Sequence, residues 1–190
     1  MVNRSPDARE LARLQDRVRA MVTPRRFEHI ERVARLTGKI ARANGFSEEQ
    51  ERAAVVSALL HDAARDLSEE ELFRLAPPRT ELEKRYPLML HGRASRALAA
   101  QWGVDDPVVL DAVEGHVFGV DPGNRVGMAL YVADVSEPGR GVNEEIRNMA
   151  LSDLYAAYRK AVVSKVEYLR AKNKPVHPAT LDVYETVQNS

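Results

Sequence analysis

The chain has 190 residues, 28 Lys+Arg against 28 Asp+Glu, no cysteine and a formal net charge of zero. A chain of this length is about one domain and buries about 70% of its unfolded surface, enough for a core without staples. The missing cysteines exclude disulfide scaffolds, thiolate zinc sites, iron–sulfur clusters and cysteine nucleophiles, and the even charge balance argues against a nucleic-acid partner.

The first 20 residues alternate charge and apolarity, with none of the apolar core of a signal peptide. Leu11, Leu14, Val18 and Met21 follow helical spacing and predict a first helix. Thr23-Pro24 reads as an N-cap with proline at the first helical position, and Gly45 as the stop of that second helix. Ser47-Glu48-Glu49-Gln50 is a capping-box pattern opening a third helix. Ser68 to Glu71 and Thr80 to Glu83 repeat it, with Pro77-Pro78 breaking the chain between them. Pro87 precedes a helix that ends near Gly103, and Asp106-Pro107 opens the next. Val126 to Val135 has the composition of a buried strand, but its Met, Ala and Leu content and the Glu-Pro-Gly stop after it favour a helix. A long amphipathic helix is expected from Asp153 to Ala171 and a short one from Thr180 to Val187. No hairpin signal appears, so the expected fold is an all-α helical bundle. The longest near-apolar run, Ala53 to Leu60, falls far short of the roughly 20 residues of a membrane span, which leaves no membrane partner and a soluble, cytoplasmic chain as the expectation.

The chemistry shows as polar residues on faces that should be apolar. His29 shares a stripe with Val33, Leu36 and Ile40, the inner face of its helix. From Ala53 to Ala64 only Ser57, His61 and Asp62 are polar, so that helix is expected at the centre of the fold. His91 falls on a stripe with Ala94, Leu98 and Trp102, and His116 on one with Val109, Ala112 and Val113. Asp134 is the sole charge between Val126 and Val135. A single inward histidine is more often a hydrogen-bonded core residue than a ligand, and a His-Asp dipeptide by itself says little. Four of the five histidines and two aspartates on inner faces are explained more economically by one metal site between facing helices.

The order His29, His61-Asp62, Asp134 resembles the HD-domain phosphohydrolases. It is closer still to the YqeK type, the symmetrical bis(5'-nucleosyl)-tetraphosphatases. The resemblance is carried by Arg26-x-x-His29, Leu59-Leu60-His61-Asp62 with Arg65, and Leu90-His91-Gly92. It continues through His116-x-x-Gly119, Ala133-Asp134-x-x-Glu137-Pro138-x-Arg140 and His177-Pro178-x-Thr180 with Tyr184. Two departures stand out. The family usually reads His-Thr-Thr-Gly where this chain has His116-Val117-Phe118-Gly119, and a lysine where it has Arg65.

The resemblance implies one HD domain over 1–190, with an N-terminal helix in 1–22, a metal-binding core in 23–140 and C-terminal helices in 141–190. It implies a pair of metal ions, with His29, His61 and Asp134 on the first, His91 and His116 on the second, and Asp62 bridging. Mixed nitrogen and oxygen ligation suits iron, manganese or cobalt, and the family points to iron. Arg26, Arg65 and Arg140 each stand close in sequence to a ligand and are the expected phosphate-binding groups, with Asp62, Arg65 and Arg140 as the catalytic set. The implied substrate is a dinucleoside polyphosphate, diadenosine tetraphosphate cut to two ADP. Another HD enzyme (a 5'-nucleotidase or a guanosine-alarmone hydrolase) and a catalytically silent nucleotide-binding module remain alternatives, and a homodimer is left open.

Overall fold

The computed structural model describes residues 8–189, so residues 1–7 of the expected N-terminal segment lie outside the described residues. Among the described residues eleven α-helices follow one another and no strand occurs. They are α1 (Ala8–Met21), α2 (Pro24–Ala43), α3 (Glu48–Leu60), α4 (Glu69–Leu75), α5 (Glu81–Arg85) and α6 (His91–Gln101). After them come α7 (Pro107–Gly115), α8 (Arg125–Ser136), α9 (Glu144–Met149), α10 (Leu154–Ala171) and α11 (Pro178–Gln188).

The starts of these helices were readable because the caps form as the sequence implies. Ser47, Ser68 and Thr80 close capping boxes with Gln50, Glu71 and Glu83, each cap contributing about 1 kcal/mol. Three elements differ from the sequence expectation. The third helix stops at Leu60, and 61–66 continue as turns rather than to Ala64. Pro87–Leu90 is a 3-10 turn, and the helix proper begins at His91. The last helix starts two residues before Thr180, because the His177 ring accepts the Ala179 N–H and Pro178 takes the first helical position. The short α9 was not expected, its six residues holding too little periodicity to show.

α8 is the axis of the molecule, packing on α2, α3, α7 and α10. Every residue from Val126 to Ala133 is buried, as an apolar helix must be when neighbours surround it. α3 is buried just as fully from Val56 to Leu60, and its alanines let α2 approach closely. Ile30, Ile40, Leu60 and Leu130 are fully inaccessible, each burial contributing about 1.5–3 kcal/mol. Asn44 ties the end of α2 to the later helices, donating to Ala150 O at 2.7 Å and accepting from Leu154 N at 3.1 Å. The loop after α7 is pinned by Tyr158, whose hydroxyl accepts from Val120 N at 2.7 Å and donates to Val120 O at 2.6 Å. Gly119 in that loop has φ 111° and would put a Cβ 2.9 Å from Val183 Cγ1, so only glycine fits. No described helix is long and apolar enough to cross a membrane.

Candidate metal centre

Four helix segments deliver histidines to one point. His29 lies inside α2, His61 caps the C-terminus of α3, His91 is the first residue of α6, and His116 caps the C-terminus of α7. The last three share a local device. Each Nδ1 donates to the carbonyl three residues earlier: His61 to Ala58 at 2.7 Å, His91 to Leu88 at 2.6 Å, His116 to Val113 at 2.7 Å. Helix ends leave such carbonyls short of backbone partners, so a histidine placed there is held by its own turn. A carbonyl only accepts, which puts the proton on Nδ1 and leaves the Nε2 lone pair facing the centre.

Asp62 sits among these nitrogens with its two oxygens turned to different partners. Oδ2 lies 3.9 Å from His29 Nε2 and 3.6 Å from His61 Nε2, whereas Oδ1 lies 3.3 Å from His91 Nε2 and 3.5 Å from His116 Nε2. Asp134 Oδ1 meets His29 Nε2 at 3.1 Å and lies 3.8 Å from His61 Nε2. His29 differs from the other three because its Nδ1 donates to Glu137 Oε1 at 3.0 Å. That carboxylate also receives Arg32 Nε at 2.8 Å and the Gly139 N–H at 2.6 Å.

Charge follows from burial and neighbours. Burial pushes His61 down to about 4 against the pull of Asp62 and Asp134, and burial likewise lowers His91 despite the nearby Asp62 carboxylate. Burial opposes the charged form of His29 too, but its bonds to Asp134 and Glu137 outweigh it and raise its pKa. Both aspartates stay ionised. Burial disfavours this, yet His61, His116 and His91 hold Asp62 well below the usual carboxylate range, and His29, His61 and Arg140 do so for Asp134. The lowered His61 and His91 and the two ionised carboxylates match the protonation states a cation requires of its ligands.

The donor set fits a metal. The Nε2 atom of His61 is buried with no hydrogen-bond partner among the described residues. His91 and His116 bring their Nε2 atoms to 3.0 Å with both Nδ1 protons already committed, so two lone pairs face each other unless a cation lies between them. Three overlapping groups each keep their ligand atoms within 4.8 Å: His29, His61 and Asp62; His61, His116 and Asp134; Asp62, His91 and His116. All six residues expected as ligands are thus brought together.

The arginines flank this cluster. Arg26 Nη1 donates to Asp62 Oδ2 at 3.0 Å, and Arg140 Nη2 donates to Asp134 Oδ1 at 2.5 Å while its Nε meets the Asp134 carbonyl. Both line an open cleft of about 600 Å³ that reaches His29. Arg65, half-buried in the turn after α3, feels the charges of Asp62 and Asp134; its backbone N–H donates to Asp62 O at 2.9 Å, and its guanidinium makes no side-chain hydrogen bond among the described residues. Phe118, standing where a threonine was expected, stacks on His177 with ring centroids 3.9 Å apart, so aromatic packing replaces a hydroxyl. His177, the fifth histidine, sits outside the centre, 3.4 Å from Glu83 Oε1. Sequence reasoning assigned no role to Glu137 or Arg32. Their signal was the spacing: Glu137 is three residues after Asp134, and Arg32 three after His29.

The sequence model of the HD domain matches residues 26–157. The chain belongs to the HD domain family. Among curated proteins this HD protein is 29% identical over 174 residues to the symmetrical bis(5'-nucleosyl)-tetraphosphatase of Bacillus subtilis, covering 88% of this chain and 91% of that one. It is 28% identical over 152 residues to a probable nicotinate-nucleotide adenylyltransferase/Ap4A hydrolase of Mycoplasma genitalium, covering 74% of this chain but only 42% of that longer protein. A crystal structure of a predicted HD superfamily hydrolase involved in NAD metabolism, from Clostridium acetobutylicum, superposes with a TM-score of 0.84 at 25% identity, over 94% of this chain and 96% of that one. Fold, family and a His/Asp cluster able to hold metal together mark the HD protein as a metal-dependent hydrolase.

Proposed function

We propose that this HD protein is a dinuclear phosphohydrolase that cuts dinucleoside tetraphosphates symmetrically, diadenosine tetraphosphate giving two ADP. The observation that carries it is Asp62, whose two oxygens face two separate histidine sets beside a cleft edged with arginine. The names of the Bacillus and Mycoplasma relatives support the substrate class.

In this reading His29, His61 and Asp134 hold one ion, His91 and His116 the other, and Asp62 both. Ligands of nitrogen and oxygen without sulfur suit iron, manganese or cobalt, iron being favoured. Bound there, a metal pair supplies Lewis acidity at a phosphoryl oxygen and makes water nucleophilic at neutral pH. The chain's own groups do the rest. Arg26 and Arg140 exchange part of their bonding to Asp62 and Asp134 for phosphate oxygens, and Arg65 adds a third cation as negative charge builds on the leaving phosphate. The Nδ1 bonds to Ala58, Leu88, Val113 and Glu137 keep each imidazole aimed while this happens.

Protein loaded with Fe(II) or Mn(II) is incubated with dinucleoside polyphosphates and mononucleotides, and the products are separated chromatographically. Diadenosine tetraphosphate should give ADP as essentially the sole nucleotide product. AMP and ATP in equal amounts, or turnover of mononucleotides alone, would overturn the assignment.

A further inference from the structure

One more cation sits half-buried beside the centre, and the roles assigned so far leave it unused. Lys165 projects from α10, and its ammonium donates to the carbonyl oxygen of Val117, the residue after His116. The same ammonium lies 5.4 Å from the ring centroid of Tyr131 and feels the charge of Asp134. Tyr131 and Asp134 are three positions apart on α8 and so share a face of it. Lys165 therefore approaches from the side of His116 and Asp134, whose ligand atoms lie within 4.8 Å of each other. It does not line the arginine cleft.

An ammonium carries three donors, and Lys165 has a single hydrogen-bond acceptor among the described residues. Val117 and Phe118, the residues beside it, bring no polar side chain. No carboxylate pairs with Lys165 among the described residues, so the half-buried cation lacks a salt-bridge partner. Burial draws the lysine down to about 8, against the pull of Asp134, so the ammonium form still prevails at neutral pH. The hydroxyl of the neighbouring Tyr131 is buried without a hydrogen-bond partner among the described residues. Unspent donors on a half-buried cation beside a cluster of candidate metal ligands suit an anionic acceptor.

We propose that Lys165 is a substrate-binding residue whose free N–H groups hold a phosphate oxygen on the α8–α10 side of the metal centre, apart from the phosphates held by Arg26 and Arg140. The inference rests on the reading of the centre as a phosphohydrolase site. A polyphosphate spanning the centre would then be held at both sides, which fixes its register as well as its charge.

The test uses metal-loaded full-length protein and inorganic phosphate as the probe. Phosphate binding is measured by calorimetry for the native chain, Lys165→Met and Lys165→Arg, with elemental analysis and circular dichroism on each. Lys165→Met should bind phosphate about ten- to a hundredfold more weakly with metal content unchanged, and Lys165→Arg should recover most of the loss. A lysine that only pins the Val117 carbonyl would lower the melting temperature and leave phosphate affinity alone, and that result would overturn the proposal. Should Lys165→Met fail to fold, the native chain labelled with 15N-lysine decides. The Lys165 Nζ resonance, assigned with Lys165→Arg, must shift with phosphate along the calorimetric isotherm, and a stationary resonance refutes the role. Phosphate affinity is indifferent to which nucleotide is hydrolysed. A Lys165-dependent affinity in a protein that leaves dinucleoside tetraphosphates intact would remove the substrate assignment and keep the lysine.

Discussion

Replacing Glu137 by Ala or Gln removes the carboxylate that orients His29. In the native chain Glu137 is 1% exposed and accepts from His29 Nδ1, from Arg32 Nε and Nη2, and from the Gly139 N–H. Arg32 is about one-third exposed, so its guanidinium turns to water at small cost. His29 is 7% exposed and cannot, and an unsatisfied buried donor costs about 1–3 kcal/mol. With the cavity that truncation leaves, Glu137→Ala should lose about 2–4 kcal/mol and Glu137→Gln about 1–3 kcal/mol. pH gives an independent handle. Burial would raise the pKa of Glu137, but Arg32 first, then His29 and the Gly139 amide, overcome it and hold the group at about 2 against an ordinary 4.5. The pKa of an acid depressed on folding lends stability that is fully present above 4.5 and is lost as pH falls towards 2. The shift corresponds to about 3 kcal/mol at most. Urea unfolding of metal-free protein, followed by circular dichroism from neutral pH downwards, should show the gap between native and Gln chains widest near neutrality and shrinking below 4.5. Equal midpoints for the native and Ala chains at neutral pH would refute the reasoning.

Gly92→Ala would place a Cβ 2.6 Å from Glu114 O and 2.8 Å from Val117 Cγ2. Because the carbonyl is backbone, α6 must shift from α7, costing about 1–3 kcal/mol, and a thermal melt with metal analysis should show lower stability together with weaker retention at His91 and His116. Arg140→Ala should lower kcat/KM about ten- to a hundredfold with metal content kept, and Arg140→Lys should recover only part of it because the forked donors are gone. Chelation should abolish hydrolysis, yet circular dichroism should stay helical, because α3 and α8 bury their apolar faces independently of the centre.

The helices and their caps were legible because local chemistry writes them: Ser47, Ser68 and Thr80 cap what they were expected to cap. The candidate ligands were legible for the opposite reason, as residues such as His29 and Asp134 that break an apolar face and must be compensated there. What stayed hidden depends on contacts distant in sequence. Glu137 bonds His29 across 108 positions, and Lys165 meets Val117 across 48, and no periodicity encodes either pairing. The end of α3 was misjudged because Ala63 and Ala64 are apolar and buried whether the chain is helical or turning. The replacement of hydroxyls by Val117-Phe118 was visible in the sequence, but the stack of Phe118 on His177 that it permits was not.

Two ions sharing Asp62 are the central feature proposed for this site. Elemental analysis of freshly purified protein, native and His91→Ala, with circular dichroism to verify the fold, addresses it directly. The native chain should carry about two metal ions, His91→Ala about one with hydrolysis largely lost, and Asp62→Ala close to none, since each oxygen of that carboxylate serves a different histidine set. A native chain with a single ion, or a His91→Ala chain that keeps both ions and near-native turnover, would contradict the dinuclear centre and leave His91 a core histidine.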